Sequence, residues 1–101
     1  MKNQKLANRY ANSLLNLATE QNKLEKILSD MHFIDRVIDE SKELEVVLKS
    51  PVIKAYQKIK ILKSIFGNEI DILTEKFMEL LIKNSREVYL HEVVYSFITL
   101  Y

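Results

Sequence analysis

The chain has 101 residues, 15 Lys and Arg against 14 Asp and Glu, and a formal charge of +1, so its net charge gives no reason to expect a nucleic-acid binder. With no cysteine it has no disulfide framework, no thiolate nucleophile and no cysteine-based metal site. A single Gly and a single Pro leave little turn chemistry for hairpins, which points to one domain of helices joined by short links.

The first helix is predicted from about residue 4 to 19. Leu6, Tyr10, Ser13, Leu14 and Leu17 recur on one side at 3-4 spacing, with Ala7, Ala11 and Ala18 beside them. A second follows over about 22–40, striped by Leu24, Ile27, Leu28, Met31, Ile34, Val37 and Ile38. Asn22 is its expected N-cap, with Glu25 in capping-box position. Ser41 is placed to cap a short third helix through Leu48, with Glu43 and Glu45 at its positive end. Ser50-Pro51 breaks the chain, because proline drives the preceding residue out of helical geometry. A fourth helix is expected over about 54–66, ended by Gly67-Asn68, and a fifth over about 70–84. The last segment, 86–100, carries Leu90, Val93, Val94, Phe97, Ile98 and Leu100. Periodicity alone does not separate it from the fifth helix. Asn84-Ser85 offers an N-cap there, so the break is placed at that pair. The fold class is all-α, a compact bundle of five or six short helices.

The longest apolar run is three residues, as in Leu80-Leu81-Ile82, far short of a membrane span. No apolar segment follows Met1 as a secretory signal would require. Residues 1–19 lack acids and carry Lys2, Lys5 and Arg9, a faint likeness to a mitochondrial transit peptide. Their apolar spacing instead reads as the first helix of the fold. Catalytic chemistry is not visible. His32 and His91 have no metal-ligand spacing and pair on paper with Asp35 and Glu87 as helix-surface contacts. No Gly-rich loop could cradle a phosphate, and no nucleophile–base–orienter pattern occurs. The chain is therefore expected not to be an enzyme, with no catalytic, cofactor or metal residue assigned. Lys54, Lys58, Lys60 and Lys63 form the one notable charge run and read as a solvated helix surface, with phosphate contact as the alternative.

Two helices carry more apolar surface than a core-facing stripe needs. At 100° per residue the apolar arc of the first covers about half its circumference, and Leu73, Phe77, Met78, Leu80, Leu81 and Ile82 in the fifth cover roughly 180–200°. A stripe of little over 100° suffices for a surface helix. Either each is packed between two neighbours, or one edge faces inward while the other lines a groove for a partner's amphipathic helix. Small residues such as Ala7, Ala11 and Ser13 would permit close approach. Helical periodicity does not separate the two.

The run Ala7-Asn8-Arg9-Tyr10-Ala11-Asn12-Ser13-Leu14-Leu15-Asn16-Leu17-Ala18 resembles the opening helix of ATP synthase delta subunits, which reads A-x-R-Y-A-x-A-L-x-x-L-A. A middle block, Leu48, Ser50-Pro51, Lys58, Leu62, Phe66 and Gly67, is similar to the same family. So is a third: Phe77, Leu80, Leu81, Asn84, Arg86, Leu90, Val93, Phe97, Leu100 and Tyr101. Ser13 departs from the family's usual Ala. The resemblance implies a six-helix bundle, residues 1–101 forming the N-terminal domain of a longer subunit whose C-terminal domain is absent. It implies a bacterial stator component that helps hold the catalytic head to the peripheral stalk during proton-driven ATP synthesis. It would lie peripherally on the cytoplasmic side of the inner membrane without inserting into it, and the start of a helix almost at Met1 favours the bacterial over the mitochondrial form. The implied partners are the N-terminal helix of an alpha subunit and, mainly through the missing domain, a peripheral stalk subunit, with no nucleic acid and no cofactor. The family's helix 1 and helix 5 groove maps here onto Leu6, Tyr10, Ser13 and Leu17 with Leu73, Lys76, Phe77 and Leu80. The alternatives are a helical adaptor for some other amphipathic helix and a nucleic-acid-binding helical domain.

Overall fold

The computed structural model describes residues 3–101; Met1 and Lys2, and with Lys2 the first of the N-terminal basic residues, lie outside the described residues. Six α-helices are found among the described residues: α1 (Gln4–Glu20), α2 (Leu24–Glu40), α3 (Lys42–Lys49), α4 (Ala55–Phe66), α5 (Ile72–Lys83) and α6 (Leu90–Leu100). Single 3-10 turns, Gly67–Glu69 and Glu87–Tyr89, precede α5 and α6. No strand occurs among the described residues, and the all-α bundle expected from the sequence is the observed fold.

Helix ends follow local chemistry, not always the chemistry expected. Asn3 caps α1 by accepting from the Leu6 N–H at 3.1 Å, and Ser41 caps α3 by accepting from Leu44 N at 3.2 Å. Asn22 does not start α2. It adopts φ +56° and ends α1 in a Schellman turn, with Lys23 N donating to Ala18 O at 2.8 Å and Asn22 N to Thr19 O at 3.2 Å. Asn84-Ser85 likewise ends a helix and does not begin one. Ser85 sits at φ +58°, while Arg86 N reaches Leu81 O at 2.7 Å and Ser85 N reaches Ile82 O at 3.0 Å. A 3-10 turn then delays α6 to Leu90. After Pro51 the chain is held by Ser50, whose Oγ accepts from Val52 N and Ile53 N. Gly67 takes φ +52°, ψ −130°, a region open to glycine and closed to side chains.

The hub of the bundle is α6, which packs against both α1 and α2. It runs antiparallel to α2. Tyr101 at its end donates to Glu25 near the start of α2, and His91 at its start meets Asp35 and Asp39 near the end of α2. The buried residues of α1 are Ala7, Ala11, Leu14 and Ala18; three alanines let helix axes approach closely. The small residues considered as a docking face are thus mostly used inside the bundle. The remaining layer is α4 against α5, closed by Leu62, Phe66, Phe77, Met78, Leu81 and Ile82 in the continuous core.

Two buried charges tie these layers together. Lys58, expected on a solvated surface, is only 3% exposed. Its Nζ donates to Leu48 O at 2.9 Å and to Glu87 Oε2 at 2.7 Å. The reason is register: Lys58, Leu62 and Phe66 follow one another at four-residue spacing and share the buried face of α4. Asp30 is 1% exposed and binds α2 to the head of α5.

Candidate helix-binding groove

Side-chain bonds hold α5 to α2 at its head and to α1 at its tail. At the head, Asp30 Oδ2 accepts from Asp71 N at 2.8 Å and from Thr74 Oγ1 at 2.7 Å. Its other oxygen lies 2.8 Å from Lys26 Nζ. Asp71 caps α5 by accepting from Leu73 N at 2.9 Å and pairs with Lys23 Nζ at 3.1 Å. The Leu73 N–H is the main cause that holds the Asp71 carboxyl below its ordinary pKa; partial burial opposes the shift and Lys23 reinforces it. At the tail, Asn84 Nδ2 donates to Tyr10 Oη across the gap to α1 at 3.1 Å. Between the ends, Tyr10 meets Phe77 edge to face, centroids 6.4 Å apart and rings inclined at 70°.

These contacts fix where each sequence-selected residue lies. Along the outer edge of α1, Leu6 and Tyr10 are half-buried, Ser13 is exposed and Leu17 is 39% exposed. On α5, Leu73 is half-buried, Lys76 exposed and Leu80 46% exposed. Phe77 is different. At 5% exposure it belongs to the core, because it shares a face with Thr74, Met78 and Leu81, and it supports Tyr10 from beneath without offering a contact surface of its own. Tyr10 is likewise part-covered by Phe77, so its ring is a wall more than a free anchor. Apolar exposure is not confined to these two helices: Val46, Val52, Tyr56 and Tyr95 are each more than 60% exposed.

Two residues organise this region in roles that the sequence reading does not give them, although a signal for one was present. Asp30 stands between Ile27 and Ile34 on the core-facing stripe of α2, where a polar residue must find buried partners. Asn84 carries no such mark, since its bond to Tyr10 joins residues far apart in sequence. The histidine pairings also differ from those read off one helix. His91 turns to α2, 3.2 Å from Asp35 and 3.5 Å from Asp39, and not to Glu87, which is engaged by Lys58. Asp35, paired on paper with His32, is thus the partner of His91. No helix among the described residues is long and apolar enough to cross a membrane.

The same fold occurs in a chain of the Toxoplasma gondii mitochondrial ATP synthase hexamer, with a TM-score of 0.85 and 29% identity. The match covers 91% of this chain and 52% of that one. Among curated proteins, ATP synthase subunit delta of Cytophaga hutchinsonii is 35% identical over 97 residues, which is 96% of this chain and 53% of the relative. That of Chlorobaculum tepidum is 43% identical over 89 residues, 88% of this chain and 49% of the relative. The chain thus spans about half the length of the curated relatives it matches. A family model described as the ATP synthase delta (OSCP) subunit matches residues 6–101, and on that match the chain belongs to the ATP synthase delta (OSCP) subunit family.

Proposed function

We propose that this domain is a non-catalytic stator component of a rotary ATP synthase and that the α1–α5 edge receives the amphipathic N-terminal helix of an alpha subunit. The observation that supports the reading is a pair of part-exposed apolar rows, Leu6, Tyr10 and Leu17 on α1 and Leu73 and Leu80 on α5, on helices joined by the Tyr10–Phe77 ring contact and the Tyr10–Asn84 hydrogen bond. Membership of the family supports an alpha subunit as the partner. Asp30 and Asp71 anchor α5 to α2 and Asn84 links it to α1, which limits the ordering cost that falls on the domain when a helix docks. Ser13 leaves room for close backbone approach, and Lys76 is placed to meet an acidic residue. In this reading the domain sits peripherally on the cytoplasmic side of the membrane and helps couple the catalytic head to the peripheral stalk. The stalk contact is assigned mainly to the half of the relatives' length that this chain does not span.

Magnitudes bound the affinity. Leu17 and Leu80 each expose less than half of their surface, so covering either contributes about 1 kcal/mol. Most of the gain must come from the peptide's own apolar face, and after the cost of ordering the peptide, binding in the micromolar range is the expected outcome. The nucleic-acid alternative loses its basis. Lys58 is buried in an ion pair, and Lys63 faces Glu75 and Glu79 at 3.8 and 3.9 Å, so the lysine run is not a free cationic stripe.

Calorimetric titration with a synthetic alpha-subunit N-terminal peptide tests the proposal, with an unrelated amphipathic helix as comparison. Ser13→Asp and Leu80→Asp should each weaken binding at least tenfold, because a carboxylate would be desolvated without a partner. Both side chains are exposed, so the melting temperature should change little. Equal binding of the unrelated helix would favour a general adaptor, and undiminished binding by both variants would place the site elsewhere.

A further inference from the structure

We propose that Asp35, Asp39 and His91 form a binding site for a divalent transition-metal ion of the zinc type at the junction of α2 and α6. Asp35 and Asp39 lie one helical turn apart and project from the same side of α2. The antiparallel approach of α6 brings His91 Nε2 to 3.2 Å from Asp35 Oδ1 and 3.5 Å from Asp39 Oδ1. All three ligand atoms lie within 4.8 Å of one another. Ligands held 2.0–2.1 Å from a tetrahedral zinc ion stand about 3.3 Å apart, so two edges of the required tetrahedron are already close to size. The third, between the two carboxylates, is within 4.8 Å, and Asp39 is exposed and free of packing that would hold its rotamer.

The chemistry of the set selects the ion. One imidazole with two carboxylates suits zinc, cobalt or nickel; calcium and magnesium prefer all-oxygen shells. A protonated His91 would also satisfy the two carboxylates, as a simple ion pair. A metal instead requires the Nε2 lone pair to face the site. Each side chain is at least one-third exposed, which leaves a side open for a water as fourth ligand. An open three-ligand site of this kind binds more weakly than a closed structural zinc site. All three ligands stand on α-helices packed against each other, so the bound ion would staple the end of α2 to the start of α6. None of the three belongs to the α1–α5 edge.

The test uses the protein free of any polyhistidine tag. Zinc added to about tenfold above its dissociation constant should raise the melting temperature by roughly 5–10 °C, and cobalt should give the visible absorption of a tetrahedral nitrogen–oxygen site. His91→Ala and Asp39→Asn should each lower zinc affinity at least tenfold, whereas His32→Ala, on the same helix as the carboxylates, should leave it unchanged. Asp39 is the most exposed of the three, so its variant keeps the test decisive should His91→Ala fail to fold. Absence of saturable binding below about 1 mM overturns the proposal. So does undiminished affinity in Asp39→Asn, or loss of binding in His32→Ala.

Discussion

Asp71 has two tasks at the head of α5, capping its first turn through Leu73 N and pairing with Lys23. Its ion pair is only part-buried and contributes little; the cap matters more. Replacement by Ala should cost about 1 kcal/mol, read as a melting temperature lowered by roughly 4–8 °C. The carboxyl is depressed below its ordinary value of 3.8 in the folded state. Its contribution is therefore fully present above that value and is lost as pH falls through the lower folded one. Asp71→Asn should flatten this part of the acid limb in a stability-against-pH profile, and an unchanged limb would show that other carboxylates govern it. Lys58 is a larger stake. Lys58→Met leaves Glu87 part-buried without its cation and should cost about 3 kcal/mol in urea unfolding, much of it regained in the Lys58→Met, Glu87→Gln double variant.

At the scale of elements, helix interiors were legible and helix ends only in part. The stripes of α1, α2, α4 and α5 repeat over enough turns to outweigh local noise, and Ser41 and Ser50-Pro51 act through neighbours in sequence. Asn22 and Asn84-Ser85 were ambiguous because Asn serves both before a helix and after one, and Ser, a good N-cap, points to a helix start. What decided both was the following residue's N–H turning back onto the preceding helix, as Lys23 does to Ala18 and Arg86 to Leu81. Ser85 pays for this with a left-handed backbone that a side chain disfavours. Ser85→Gly should therefore stabilise the protein by about 0.5–1 kcal/mol, measurable as a higher denaturation midpoint. No change would mean that the serine hydroxyl compensates for its backbone.

The whole molecule has a Cα radius of gyration of 12.5 Å, close to the roughly 13 Å of a compact 100-residue domain. Its family was legible in three sequence blocks because those blocks hold helix packing positions such as Ala7, Ala11, Leu62, Phe66 and Phe97, all buried here. The proposed groove was legible only as surplus apolar arc on α1 and α5. Phe77 was misplaced within it, since a wheel gives angular position but not which neighbour covers it. The polar bonds that position α5, Asp30 to Asp71 and Thr74 and Asn84 to Tyr10, join residues far apart in the chain and leave no periodic trace. The central claim is that α1 and α5 together make one helix-binding surface. Its most direct test is amide chemical-shift mapping of the labelled domain during titration with the alpha-subunit N-terminal peptide. The account predicts saturable shifts concentrated at Leu6, Tyr10, Ser13 and Leu17 and at Leu73, Lys76 and Leu80, with the α3–α4 connection around Val46 and Val52 unmoved. Shifts centred on that connection, or none at all at millimolar peptide, would contradict it.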